Sequence, residues 1–137
     1  MILEILRFCS SCKQSKDIVN FQGSSVTCDP CKHKQLIRRN TVDFKIRKYK
    51  HDAARRGKMY TLSDETARRL LTHPCVYCGY WSSTKLNGID RRDNSIGYTE
   101  ENCVSCCDVC NFGKGTKTEA EFIHMCIRVA KHFSRNI

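Results

Sequence analysis

Cysteine pairs carry the clearest chemical signal in this chain of 137 residues, eleven of which are cysteine. Four thiolates arranged as two Cys-x-x-Cys pairs match the ligand set of a structural zinc ion. The first such set consists of Cys9, Cys12, Cys28 and Cys31. Because a module this small buries little apolar surface, we expect metal binding to supply most of its folding free energy.

The second cysteine set is ambiguous, because two adjacent Cys-x-x-Cys pairs lie within residues 103–110. Cys103 falls in a segment that reads as a β-strand, where a cysteine usually serves as a small buried hydrophobic residue. The later pair is followed directly by Asn111, a second possible metal ligand. We therefore predict a second zinc site formed by Cys75, Cys78, Cys107 and Cys110.

A carboxylate and an amide near the later cysteines suggest a different kind of metal site. The pattern predicts strands over residues 86–90 and 102–106, separated by a turn rich in Asn, Asp, Gly and Ser, and then a helix from about residue 107. In that arrangement Asp90 can face Asn111. Two hard oxygen ligands suit Mg²⁺ or Mn²⁺, which keep waters and bind phosphate. The spacing alone is a weak signal, because Asp and Asn beside turns usually cap them.

Positive charge is concentrated between the two cysteine sets. The chain has 24 Lys and Arg against 14 Asp and Glu, a net charge of +10, and residues 33–60 read as one or two basic helices. Such a stripe indicates a polyanionic partner, and we expect DNA. The residues expected to contact its backbone are Lys45, Arg47, Lys48, Arg55 and Arg56.

Two more helices are predicted after the basic segment. Residues 62–73 begin with an N-cap at Ser63, and residues 118–133 begin with a capping box of Thr118 and Glu121. The apolar stripe of the last helix is expected to face the core, and it consists of Phe122, Met125, Cys126, Val129 and Phe133.

The composition also indicates the cellular compartment in which the protein is expected. No run of about 18 apolar residues is present, so no membrane span is expected, and the N-terminus lacks the pattern of a secretory signal. We expect a reducing intracellular compartment, cytoplasm or nucleus, with the cysteines as metal ligands. A disulfide-rich secreted protein is the disfavoured alternative.

The run NGIDRRDNSIGYTEENCVSCCDVCNFGKG resembles the core of the HNH nucleases, in the variants where Asp-Arg replaces Asp-His. The layout of residues 9–116 is similar to a restriction endonuclease of this family, and the Cys-x-x-Cys-Asn end is shared with the phage endonuclease VII family. The resemblance implies a small α+β, zinc-stabilised fold with a ββα-metal, treble-clef-like core. Its parts would be an N-terminal four-cysteine zinc module (1–32), a basic helical linker (33–60) and a nuclease domain (61–137).

The same resemblance implies a DNA endonuclease that hydrolyses phosphodiester bonds with two structural zincs and one catalytic Mg²⁺ or Mn²⁺. Asp90 would bind the catalytic ion, and Asn111 would bind it or orient Asp90. Lys114 would contact the DNA backbone. Arg91 stands where other members carry the general-base histidine. Since arginine does not accept a proton, it would instead neutralise charge on the phosphate.

The missing histidine leaves the general base and the activity open. His51 is the first candidate base and His73 the second, because imidazole titrates near neutral pH. Water at the metal acting without a protein base is the alternative. Related enzymes often act as dimers, so a homodimer is one option. The competing function is a non-catalytic, zinc-stabilised nucleic-acid-binding or structural protein that retains the fold.

Overall fold

A computed structural model of the chain describes residues 5–134. It divides into two units, Met1–Thr41 and Val42–Ile137, and the segment predicted as a helical linker (33–60) contributes helical residues to both. The elements in chain order are β1 (Leu6–Phe8), β2 (Ser15–Asp17), a 3-10 turn (Ile18–Asn20), α1 (Asp29–Arg39), α2 (Val42–Arg55), α3 (Asp64–Thr72), β3 (Gly88–Arg91), β4 (Cys103–Cys106), α4 (Asp108–Lys114) and α5 (Glu119–Ser134).

The first unit is a small hairpin followed by a helix. Strands β1 and β2 pair antiparallel, and α1 begins directly after Cys28 with a proline in its first turn. The buried core of this unit contains Cys9, Cys28 and Phe21. A core of this size supports the expectation that a metal ion stabilises the unit.

The second unit is organised around the antiparallel pair β3–β4, in which Asp90 lies opposite Val104. Successive strand residues point to opposite faces of a sheet. Ile89 accordingly packs in the main core with residues of α2 and α3, whereas Cys106 packs in a second cluster with residues of α4. The hairpin therefore has a core face toward α2 and α3 and an opposite face toward α4, and Asp90 belongs to the latter.

Helix α2 is attached along the free edge of β3 by two side chains. The Tyr49 hydroxyl accepts a hydrogen bond from the Ile89 amide at 2.8 Å. The Lys45 ammonium donates to the carbonyls of Leu86 and Asn87, both at 3.1 Å. These contacts satisfy backbone groups that an edge strand otherwise leaves unpaired.

The segment between α3 and β3 carries the first half of the second cysteine set. Ser63 caps α3 as predicted, accepting from the Thr66 amide at 3.1 Å. The buried Asn87 side-chain amide then donates to the carbonyls of His73 at 2.8 Å and Tyr80 at 3.1 Å. Both acceptors flank the Cys75–Cys78 turn, so Asn87 holds that turn against the start of β3.

Helix α5 confirms the predicted capping box but not the predicted core stripe. The Thr118 amide donates to the Glu121 carboxylate at 2.8 Å, and the Glu121 amide donates to the Thr118 hydroxyl at 3.3 Å. Phe122 is buried and Met125 packs beside it, but Cys126, Val129 and Phe133 are exposed. The reason is length, because α5 has 16 residues and its neighbour α4 has seven. None of the helices within residues 5–134 is both long enough and apolar enough to span a bilayer.

Candidate active site

The first predicted cysteine set converges in the structure. The sulfur atoms of Cys9, Cys12, Cys28 and Cys31 all lie within 4.8 Å of one another. The Cys28 amide donates a hydrogen bond to the Cys9 sulfur at 3.3 Å. This bond has the largest effect on the thiol, and together with weaker bonds from the amides of Cys12 and Ser11 it lowers the pKa of Cys9 to about 6. Backbone N–H groups directed at a sulfur stabilise its thiolate, the form that binds zinc.

The second set also converges, with the membership predicted from the sequence. The sulfurs of Cys75, Cys78, Cys107 and Cys110 lie within 4.8 Å of one another, and those of Cys78 and Cys107 are 3.7 Å apart. Zn–S bonds of about 2.3 Å in a tetrahedron separate the sulfurs by about 3.8 Å. Both donor sets therefore fit a tetrahedral zinc ion. The second ion would tie the turn after α3 to the first turn of α4.

Strand alternation explains why the second site uses the later cysteine pair. Cys103 and Cys106 are three residues apart on β4, so their side chains point to opposite faces of the hairpin. Cys103 lies in the main core, where burial raises its pKa to about 12. Cys106 is fully buried beside the cluster and donates to the Cys107 carbonyl at 3.4 Å. Both residues serve as small buried hydrophobic groups.

Asp90 lies on the α4 face of the hairpin and is almost inaccessible, with 5% of its surface exposed. The Tyr77 hydroxyl donates to Asp90 Oδ2 at 2.9 Å. The Lys114 ammonium lies 3.3 Å from Oδ2 and 3.4 Å from Oδ1, and it donates to the Arg91 carbonyl at 2.8 Å. Burial, and then the hydrogen bond to Asp90, raise the pKa of Tyr77, so its hydroxyl remains a donor at neutral pH.

Asn111 is placed one helical turn before Lys114 on α4, and its side chain is exposed. Residues three apart on a helix lie on the same side of it. The side of α4 that supplies Lys114 to Asp90 therefore also carries Asn111. This placement is compatible with the predicted ligand pair, although Lys114 is the α4 residue in direct contact with the carboxylate.

Arg91 has its side chain on the other face of the hairpin from Asp90. Its guanidinium donates to the carbonyls of Asn94 at 3.0 Å and Ile96 at 2.9 Å, and it lies over the Tyr98 ring at 5.1 Å. These contacts fix the turn between β3 and β4. The predicted role of Arg91 at the phosphate therefore competes with a structural role that the sequence did not reveal.

The predicted base His51 is 77% exposed, and its Nδ1 lies 3.6 Å from the Asp52 carboxylate. It is two residues after Tyr49, which faces β3, so it lies on the opposite side of α2. The structure does not bring His51 together with Asp90. Instead it groups His51 with exposed basic side chains, and this basic face of α2 consists of Arg47, Lys48, His51 and Arg55.

Two of the six residues predicted to contact DNA are not on the surface as expected. Lys45 is half-buried against the chain before β3, and burial lowers its pKa. Lys114 has none of its surface exposed. Arg56 is exposed just after α2. The sequence pattern did not predict a role for Tyr77. Its position inside the Cys75-x-x-Cys78 turn nevertheless places an aromatic hydroxyl next to the second four-cysteine set.

Comparisons with known proteins give two likenesses. No family model matches the chain. A stretch of 98 residues, 71% of this chain, is 38% identical to an uncharacterized protein, R423, of Acanthamoeba polyphaga mimivirus, and it spans 18% of that protein's length. Among solved structures, the rare-cutting HNH restriction endonuclease PacI is similar with a TM-score of 0.48 and 21% identity, over 96% of this chain and 99% of PacI. The chain itself is a small α+β protein with two four-cysteine clusters compatible with zinc.

Proposed function

We propose that this chain is a metal-dependent DNA endonuclease of the HNH type that hydrolyses phosphodiester bonds. The observation that carries the proposal is the placement of Asp90. Its buried carboxylate is one residue before the end of the first strand of a strand–strand–helix unit, against the helix that bears Asn111. An ionisable group buried with specific partners is a candidate functional group, and Asp90 lies beside the second four-cysteine set.

Asp90 and Asn111 would hold Mg²⁺ or Mn²⁺. A carboxylate has about four lone-pair directions, so Asp90 retains capacity beyond its bonds to Tyr77 and Lys114. Such an ion supplies charge stabilisation for the phosphate and for the leaving oxygen. The donor set of one carboxylate and one amide suits a hard cation rather than zinc.

The remaining residues of the site have positioning roles. The Tyr77 hydroxyl orients Asp90, and the Cys75–Cys110 zinc cluster fixes α4 relative to the hairpin. Arg91 fixes the turn that follows β3. The basic face of α2 would hold backbone phosphates outside the reaction centre, since it lies on the far side of α2 from β3.

The competing function is a zinc-stabilised nucleic-acid-binding protein without catalysis. One observation favours it: the Lys114 ammonium already compensates the charge of Asp90. In that case Asp90 and Lys114 would be a structural ion pair, and the basic face of α2 would account for binding.

A plasmid-cleavage assay on the zinc-loaded chain separates the two functions. Supercoiled DNA is incubated with Mg²⁺, Mn²⁺ or EDTA, using the wild-type chain, Asp90→Asn and Asn111→Ala. Asp108→Asn is the matched control, because it removes an exposed carboxylate from the same helix. Loss of a group that hydrogen-bonds to a metal ligand typically lowers activity about 10- to 100-fold. Loss of the ligand itself should therefore lower the cleavage rate about 100-fold or more. Intact DNA binding without divalent-dependent cleavage would establish the binder instead.

A further inference from the structure

Lys114 is a residue of α4 whose burial the proposed function does not explain. Its side chain has no exposed surface, although it ends a short helix of seven residues and precedes Gly115. Lysine is almost never fully buried unless its charge is paired. Here the ammonium is placed between both Asp90 oxygens and the Arg91 carbonyl.

The pair formed by Lys114 and Asp90 has a net charge of zero, since −1 and +1 cancel. Removing one partner of a buried pair leaves the other charge uncompensated, which strongly destabilises a fold. A divalent cation on Asp90 in the free protein would therefore sit beside an ammonium that cannot move to solvent without a conformational change. Two like charges that share one carboxylate weaken each other's binding.

We propose that Lys114 sets the divalent-ion affinity of the Asp90 site, and that it makes tight ion binding depend on a bound phosphodiester. This inference rests on the proposed role of Asp90 as a metal ligand. A phosphodiester contributes one negative charge beside the dication and the ammonium, so it offsets the repulsion between them. Ion and nucleic acid then bind cooperatively, each raising the affinity for the other by the same factor.

The first test measures Mn²⁺ binding to the free, zinc-loaded chain by electron paramagnetic resonance. Lys114→Gln removes the charge but retains a donor for the Arg91 carbonyl. We expect this variant to bind Mn²⁺ about 10- to 100-fold more tightly than the wild type, which is the size of effect that a neighbouring charge has on proton binding to a carboxylate. The control Lys117→Gln removes the same charge three residues later, in the connection between α4 and α5, and should bind Mn²⁺ as the wild type does.

The double variant Asp90→Asn, Lys114→Gln locates the gained ion. It should lose the tight Mn²⁺ site, and Mg²⁺ should raise the melting temperature of Lys114→Gln but not that of the double variant. Two zinc ions per chain and an unchanged circular dichroism spectrum show that each variant is folded. Equal Mn²⁺ affinity in the wild type and Lys114→Gln, or a tight site that survives loss of Asp90, would overturn the inference.

A measurement on the unaltered chain keeps the test independent of any folding defect in the variants. Mn²⁺ affinity is measured with and without a phosphorothioate duplex, and the ions bound by the duplex are subtracted using a titration of the duplex alone. We expect the duplex to raise the affinity at least about tenfold, and no increase would refute the coupling.

If Asp90→Asn cleaves plasmid normally, the proposed function fails. If it is inactive while Lys114→Gln binds Mn²⁺ as the wild type does, only the role of Lys114 fails.

Discussion

Two adjacent cysteines, Cys106 and Cys107, should respond to the same substitution in very different ways. Both are buried in the same cluster, and they differ in where their sulfurs point. Cys107 belongs to the second four-cysteine set, caps α4 and accepts from the Cys110 amide at 3.4 Å. Cys106 precedes it on β4 and is not part of that set. Replacing each in turn by Ala therefore separates metal ligation from burial.

The expected difference in unfolding free energy is large. A structural zinc contributes an apparent ~10–16 kcal/mol to the folding of zinc-finger peptides. A whole domain has a net stability of only about 5–15 kcal/mol. Helix α4 has seven residues and is too short to persist alone. Cys107→Ala should therefore unfold α4 and much of the second unit. Cys106→Ala removes one buried sulfur, a loss of about 1 kcal/mol.

Native mass spectrometry and thermal unfolding measure the two effects. We expect two zinc ions in the wild type and in Cys106→Ala, and one in Cys107→Ala, because the ligands of the first site all lie in the other unit. Cys106→Ala should still unfold cooperatively, with a melting temperature about 4–8 °C below that of the wild type. Loss of zinc from Cys106→Ala, or two zinc ions retained by Cys107→Ala, would show that the site has been assigned to the wrong pair.

Three further outcomes follow from contacts away from the cysteines. Tyr49→Phe leaves the Ile89 amide without its acceptor and should lower the free energy of unfolding by about 1–3 kcal/mol in a denaturant titration, whereas an unchanged value would mean that water replaces the hydroxyl. Gly97→Ala places a methyl carbon 2.3 Å from the Met59 carbonyl oxygen, so its melting temperature should fall by more than about 8 °C, and a smaller shift would contradict the close approach. Replacing Arg47 and Arg55 of the basic face of α2 by Gln should make the plot of log DNA affinity against log salt concentration less steep by roughly 1.8. An unchanged slope would exclude this face from the interface.

Features with a local cause could be predicted from the residues alone. The two cysteines of each Cys-x-x-Cys pair and the partners in each helix cap lie within a few positions of one another, which is why the cysteine pairs, the Ser63 cap and the Thr118–Glu121 capping box were all predicted. The strand–turn–strand–helix order over residues 86–114 was predicted for the same reason, since turn-forming residues separate two short apolar segments.

Packing and side-chain direction depended on the tertiary structure. A basic side chain reads as a surface residue in any sequence window, yet Lys45 and Lys114 are drawn inward by acceptors more than 20 positions away. Arg91 adjoins Asp90 in the chain but points to the other face of the hairpin, because strand residues alternate. The stripe of α5 has the periodicity of a core helix, but α4 is too short to cover it.

The sequence by itself therefore determined the Cys-x-x-Cys pairs that can bind metal and the order of the elements of the second unit, because both depend on short-range spacing. The tertiary structure decided what surrounds Asp90. The carboxylate, the Tyr77 hydroxyl and the Lys114 ammonium come from a strand, a cysteine turn and a helix, and they meet because the cysteine cluster draws that turn and that helix together. A contact among three separate elements has no signature in the spacing of any one of them.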